Sequence, residues 1–285
     1  MNANAYIAAL QWHVDVGATE ALEDTPVDAT AMPEIPRHEP ADASQGRVTG
    51  GAQANQSASA AGLGAGSQVT GTSDAAKAAL ALAREVDSVE SLREAIAGFD
   101  GIPLKKTATN MVFSDGNPEA KIMLIGEAPG ADEDRQGKPF AGANGQLLDK
   151  ILGSIGLSRT AEDLEKAVYI TNILNWRPPG GRSLNPAEIE VSLPFIEKHI
   201  ALVKPKVLIF CGGGTAKALL NSSEGMSKLR GKMKDYKTLT DGLLDTPQAI
   251  PAIATYTPEQ LLLNPGQKRL VWQDMLRLQQ FLLEN

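Results

Sequence analysis

The stretch KIMLIGEAPG, residues 121–130, decides the fold. Its first half is a short, unbroken apolar run of the kind a strand shows when both of its faces are covered. It stops on Gly126 and passes directly into Glu127-Ala128-Pro129-Gly130, a turn whose small residues let the backbone run close to a ligand. Three later runs have the same buried-strand character: VYITNIL (168–174), KVLIFC (206–211) and IPAIATY (250–256). Helical periodicity covers about 144–156, 186–203, 214–221 and 267–283. Strand and helix in alternation predict crossover units, hence an α/β fold, a three-layer α/β/α sandwich with a central, mainly parallel four-stranded sheet. Ligands bind such sheets at the carboxyl ends of the strands. The loops after Ile125, Ile173, Phe210 and Thr255 are therefore the ones to inspect.

Glu127 is the first residue past its strand, and a carboxylate on that edge beside a Pro-Gly turn is a costly choice for solvation alone. Asp132, Glu133 and Asp134 read instead as solvated acids of the turn. Asn172 interrupts an apolar strand, where an amide is disfavoured and must be hydrogen-bonded. It carries a donor and an acceptor, which suit the edge of a pyrimidine, and capping a neighbouring loop is an equal reading. Cys211-Gly212-Gly213-Gly214 completes neither phosphate-binding pattern, so it reads as a tight strand-to-helix turn, with Cys211 a buried small apolar residue. Leu261-Leu262-Leu263 either begins a buried helix or forms an apolar wedge at a DNA surface.

Composition narrows the classes. A single cysteine excludes an internal disulfide, a multi-cysteine zinc site and an iron–sulfur cluster held by four thiolates of one chain. The net charge is −7, but residues 1–73 hold two basic and eight acidic side chains, while the remaining 212 hold 25 and 26. A nearly neutral body can present a basic face, so nucleic acid stays open as a partner. The chain divides into a short helical segment at 1–22, a disordered acidic linker rich in Ala, Gly, Ser and Pro at 23–73, and a body at 74–285. Ser73-Asp74 opens the body as a helix start, followed by helices through AAKAALALAREV and SVESLREAIAGF. With no long apolar run and no basic leader, the expected state is a cytoplasmic monomer with no membrane partner.

As a set, GEAPGADEDRQGKPFAGANGQLL (126–148), TNILNWRPP (171–179), KPKVLIFCGG (204–213), SKLRGK (227–232) and ATYTPEQLL (254–262) resemble, in order and spacing, the family 4 uracil-DNA glycosylases of bacteria and archaea. The resemblance spans roughly residues 80–283. It implies a DNA repair hydrolase that flips uracil, or a related deaminated base, out of single- or double-stranded DNA and cleaves its N-glycosidic bond to leave an abasic site. By the same resemblance Glu127 positions the hydrolytic water, with Thr257 as the second catalytic position. Gly126, Gly130, Phe140 and Asn172 form the base pocket, Phe140 stacking on the base and Asn172 pairing with uracil O4 and N3. Arg177, Pro178, Pro179, Arg230, Leu262 and Leu263 are the implied DNA contacts. Two departures stand out. The family's four-iron four-sulfur cluster has its ligand positions at Phe99, Ile102, Trp176 and Ser192, none of which can hold iron, so no cofactor is expected and side-chain packing is expected to take its place. The motif histidine, a donor to uracil O2, falls at Thr257. One lost donor to a developing oxyanion costs about 10² to 10³ in rate. The alternative reading is therefore a catalytically weak or silent DNA- or base-binding member. A nucleotide-binding enzyme built on the Gly212–Gly214 turn ranks last.

Overall fold

A computed structural model describes residues 73–244 and 249–284. The segment expected at 1–22 and the linker expected at 23–73 lie outside the described residues, save for Ser73. The Ser73 hydroxyl oxygen accepts the Ala76 N–H at 3.2 Å and so caps α1 (Asp74–Glu85), as expected from the sequence. A Ser88–Ser91 capping box starts α2 (Val89–Gly98).

The sheet has six strands in the order β1-β3-β2-β4-β6-β5. Its centre is the expected set of four parallel strands: β2 (Ile122–Gly126), β3 (Val168–Asn172), β4 (Val207–Cys211) and β6 (Ala249–Thr255). The expectation of four strands is corrected by two antiparallel edges, β1 (Ser114–Asp115) on β3 and β5 (Met233–Lys237) on β6. Neither resembles a buried strand in sequence, because β1 has two residues and β5, MKDYK, buries only Tyr236. Charged edges of this kind resist pairing with another chain.

Side chains alternate across β2 and sort the layers. Met123 and Ile125 join Tyr169, Leu208 and Phe210 in one core cluster, with Ile196, Ile200 and Val203 of α5 (Pro186–Val203) and Leu219 of α6 (Gly213–Leu219). Leu124, on the opposite face, and Ile209 line a small apolar space with Leu148, Ile151 and Leu152 of α4 (Gly142–Gly153) and Val271 and Met275 of α9 (Lys268–Glu284). This is the three-layer sandwich. The short helices α3 (Ala131–Gln136), α7 (Met226–Leu229) and α8 (Pro258–Leu263) sit in the connections. No helix among the described residues is long and apolar enough to cross a membrane.

Outside α5, three alanines of α1 (Ala76, Ala79, Ala83) and Leu92 and Ile96 of α2 form a second cluster with Val191 and Phe195. Phe99, Ile102 and Trp176 are buried in that same cluster. The Phe99 ring meets Phe195 edge-on, with centroids 5.2 Å apart. Ser192 is buried on α5 with its hydroxyl unpartnered. These four positions supply no thiolate, and the one cysteine of the chain ends β4, so the residues present do not fit a four-iron cluster. Among the described residues no group of three or more His, Cys, Asp or Glu side chains could hold a metal ion. Packing of Phe99 should therefore carry a large share of local stability. Phe99→Ala is expected to lower the unfolding free energy by about 3 to 5 kcal/mol in urea titrations, and a loss below about 1 kcal/mol would show that this cluster is not what secures α2.

Candidate active site

Register brings the site together. Gly126 pairs with Asn172 and Cys211 with Thr255, so all four parallel strands end in one row. The four loops leaving that row enclose a cleft of about 450 Å³, lined by Glu127, Pro129, Phe140, Asn172, Gly212 and Thr257 among others. Each loop singled out in the sequence contributes to it.

Asn172 lies directly beside Gly126, and the glycine is required there. A Cβ at 126 would overlap Asn172 Oδ1 and come within 2.8 Å of Phe140 Cζ. Gly126, Phe140 and Asn172 thus form one corner of the cleft. Asn172 is 4% exposed and lines the cleft, and its amide is not among the buried side-chain groups left without a partner, so it reaches the cleft. The loop-capping role falls to Asn175, whose Nδ2 donates to the Val112 carbonyl at 3.1 Å. An amide that meets the cleft from a strand end offers both a donor and an acceptor to whatever enters it. Phe140 has φ 50°, a left-handed backbone conformation that a bulky residue rarely adopts.

On the opposite side, Glu127 rests against the glycine turn that opens α6. A Cβ at Gly214 would overlap the Glu127 carboxylate, and one at Gly212 would lie 2.9 Å from Thr257 Cγ2 and 3.9 Å from Glu127 Oε2. The turn that matched no phosphate motif is therefore the seat on which Glu127 and Thr257 approach each other. Thr257 is also the N-cap of α8, its Oγ1 accepting the Gln260 N–H at 3.2 Å. That N–H occupies one of the two lone pairs of the hydroxyl oxygen, and the residue also lines the cleft.

Other expectations change on contact with the structure. Glu133 and Asp134 are buried, not solvated. Glu133 Oε2 accepts the Gly130 N–H at 3.0 Å, and burial raises its carboxyl above the usual range. Gly130 lines the cleft, but this amide is already spent. Asp134 Oδ1 accepts the N–H groups of Thr109 and Asn110, which fastens the preceding loop. Arg230, expected to face DNA phosphates, is turned inward. Its guanidinium pairs with Asp274 at 2.6 Å, donates to the Leu270 carbonyl and lies over the Tyr256 ring at 5.8 Å. Asp274 also accepts the Thr255 hydroxyl at 2.9 Å, and burial lifts its carboxyl to about 6. Arg230 thus supports the strand end that precedes Thr257, and it leaves the set of exposed contacts.

The remaining expected contacts lie at the rim or close to it. Pro178 lines the cleft and Pro179 is exposed. Arg177 has a buried Nε without a partner. In α8, Leu261 is buried while Leu262 and Leu263 are 48% and 75% exposed, so the leucine run is both helix core and apolar projection. Sequence reasoning missed Arg182, which lines the cleft and donates to both Glu188 oxygens, at 2.9 and 2.6 Å. The N-cap spacing Asn185-x-x-Glu188 marked that acid in the sequence. Acids dominate the lining: Glu127, Asp132, Glu133 and Glu259 against Arg182. Such a lining favours positive charge developing inside it.

The model of the uracil DNA glycosylase superfamily matches residues 113–276. Similar curated proteins include the type-4 uracil-DNA glycosylase of Sulfurisphaera tokodaii, 30% identical over 68% of this chain and 85% of that protein. The type-4 uracil-DNA glycosylase of Pyrobaculum aerophilum is 36% identical over 62% of this chain and 86% of its own. That of Thermotoga maritima is 30% identical over 68% and 94%.

Cys211 is buried at the foot of the cleft, where burial pushes its thiol up to about 12. It should remain unmodified by a thiol reagent in the native protein and react fully in denaturant. Rapid labelling under native conditions, at a rate unlike that of unfolding, would contradict this placement.

Proposed function

Because this chain belongs to the uracil DNA glycosylase superfamily, we propose that its cleft accepts a uracil flipped from DNA and that it hydrolyses the N1–C1′ bond. One observation carries the reading: the Asn172 amide and the Phe140 ring line the cleft side by side, packed so closely over Gly126 that no side chain fits there. In this reading Asn172 pairs with O4 and N3 of the base. Cytosine presents an exocyclic amine where uracil presents O4, so the same amide rejects it. Phe140 stacks on the base.

Across the cleft, Glu127 orients a water toward C1′. The N1–C1′ bond breaks with its electron pair leaving on uracil, and the water oxygen bonds to C1′. One water proton passes through Glu127 toward solvent, and the uracil anion takes up a proton on release. The acid-rich lining opposes the positive charge that builds on the sugar. Thr257 donates its hydroxyl proton to uracil O2, a weaker and shorter-reaching substitute for a histidine. Leu262 and Leu263 fill the gap left by the flipped nucleotide, and Arg177 with Pro178 and Pro179 bears on the backbone. The iron–sulfur centre of related enzymes plays no step here, and the apolar packing of Phe99, Ile102 and Trp176 holds the loops that it would hold.

The test is strand scission at abasic sites after incubation with oligonucleotides carrying one uracil. Excision is expected from the wild type, with Glu127→Ala and Asn172→Asp each slower by about 10²-fold or more. No scission at high enzyme excess would favour a silent base-binding member. Thr257→His is expected to raise the rate by about 10-fold to 10³-fold and to lower the unfolding free energy by about 1 kcal/mol, because the α8 cap is lost. A histidine variant that gains no rate would show that O2 is not served from position 257.

A further inference from the structure

Phe140 holds a left-handed backbone, and nothing in its own side chain explains why it stays there. The explanation lies 19 residues on. Arg159, with its side chain only 10% exposed, donates from Nη2 to the Phe140 carbonyl at 3.2 Å and from Nη1 to the Pro139 carbonyl at 3.1 Å. Two carboxylates aim the guanidinium: Asp149 of α4 accepts from Nε at 2.8 Å and Asp115 of β1 accepts from Nη1 at 3.1 Å. From the other side, Gly145 lies so close that a Cβ there would overlap the Phe140 carbonyl oxygen. The carbonyl is gripped between a planar cation and a bare helix turn, and the ring is thereby pressed against Gly126 beside Asn172.

We infer that Arg159 is a positioning residue for base excision, which fixes the Phe140 ring in its stacking pose from behind the pocket. It touches no substrate, and the inference rests on the proposed role of Phe140 against the base. Lysine cannot replace it, since one tetrahedral ammonium does not reproduce four hydrogen bonds directed from one plane.

Arg159→Lys keeps the charge between Asp115 and Asp149, so the full chain should fold, with its thermal midpoint near that of the wild type. Its single-turnover rate on uracil DNA should fall by about 10²-fold, the cost typical of a misplaced reacting partner. Affinity for the same oligonucleotide carrying an abasic-site analogue should stay within about twofold, because no base is stacked there. In a Phe140→Ala background, Arg159→Lys should slow excision by less than about threefold, since both changes act through one ring. A full loss in that background, multiplying the loss from Phe140→Ala, would overturn the inference.

A spectroscopic arm separates this from failure of the functional reading. With 4-fluorophenylalanine at 140, Arg159→Lys should shift or broaden the fluorine resonance, while the same label at 99 should not respond. Gly145→Ala, which pushes on the same carbonyl, should disturb the 140 resonance likewise. If the wild type excises no uracil, the function falls while this arm still decides the positioning. An unmoved resonance at 140 in both variants would overturn it.

Discussion

Everything in the cleft depends on the in-register pairing of the four parallel strands. Adjacent strands lie about 4.8 Å apart, so the residues that end β3, β2, β4 and β6 are fixed beside one another before any side chain is chosen. Gly126 can only be glycine because the strand next to it ends in Asn172. The Gly212–Gly214 turn must be bare because Glu127 and Thr257 arrive there from both neighbouring strands. A slip of one residue would send each of these side chains to the opposite face. The buried apolar runs that hold the register are thus as much a part of the site as the polar groups exposed at its edge.

The parts that break local rules are gathered in that edge. An amide at the end of an apolar strand, a phenylalanine at positive φ and a carboxylate pressed on a glycine turn each run against local preference taken singly. They are held by ordinary devices around them: a capping box at Gly130, an N-cap at Thr257, and the Arg230–Asp274 pair beneath the fourth loop. Thr257 stands on both sides of this balance, since it accepts for the cap of α8 and also lines the cleft. A histidine at that place would favour chemistry over the helix.

Much of this could be read from the sequence, and the limits have physical causes. Four apolar runs revealed four parallel strands, because burial on both faces leaves a strong local pattern. The edge strands were hidden, since an edge carries charge for the opposite purpose. Glu127, Phe140, Asn172 and Thr257 emerged from their motifs and converge in the cleft. The fates of Glu133, Asp134 and Arg230 did not, because burial of a charged group depends on a partner far away in the chain. For Arg230 that partner, Asp274, is 44 residues on. Arg159 was equally invisible: its carbonyl acceptors belong to the backbone, which leaves no trace in residue type.

The hydrocarbon packing around Phe99, Ile102 and Trp176 has one more consequence. Loops tied by an iron–sulfur centre depend on cysteine thiolates, which oxidants convert to sulfenic and higher acids. Carbon–carbon contacts have no such weakness. The lone thiol of this chain is buried at the end of β4, so the packing around Phe99, Ile102 and Trp176 rests on no oxidisable ligand.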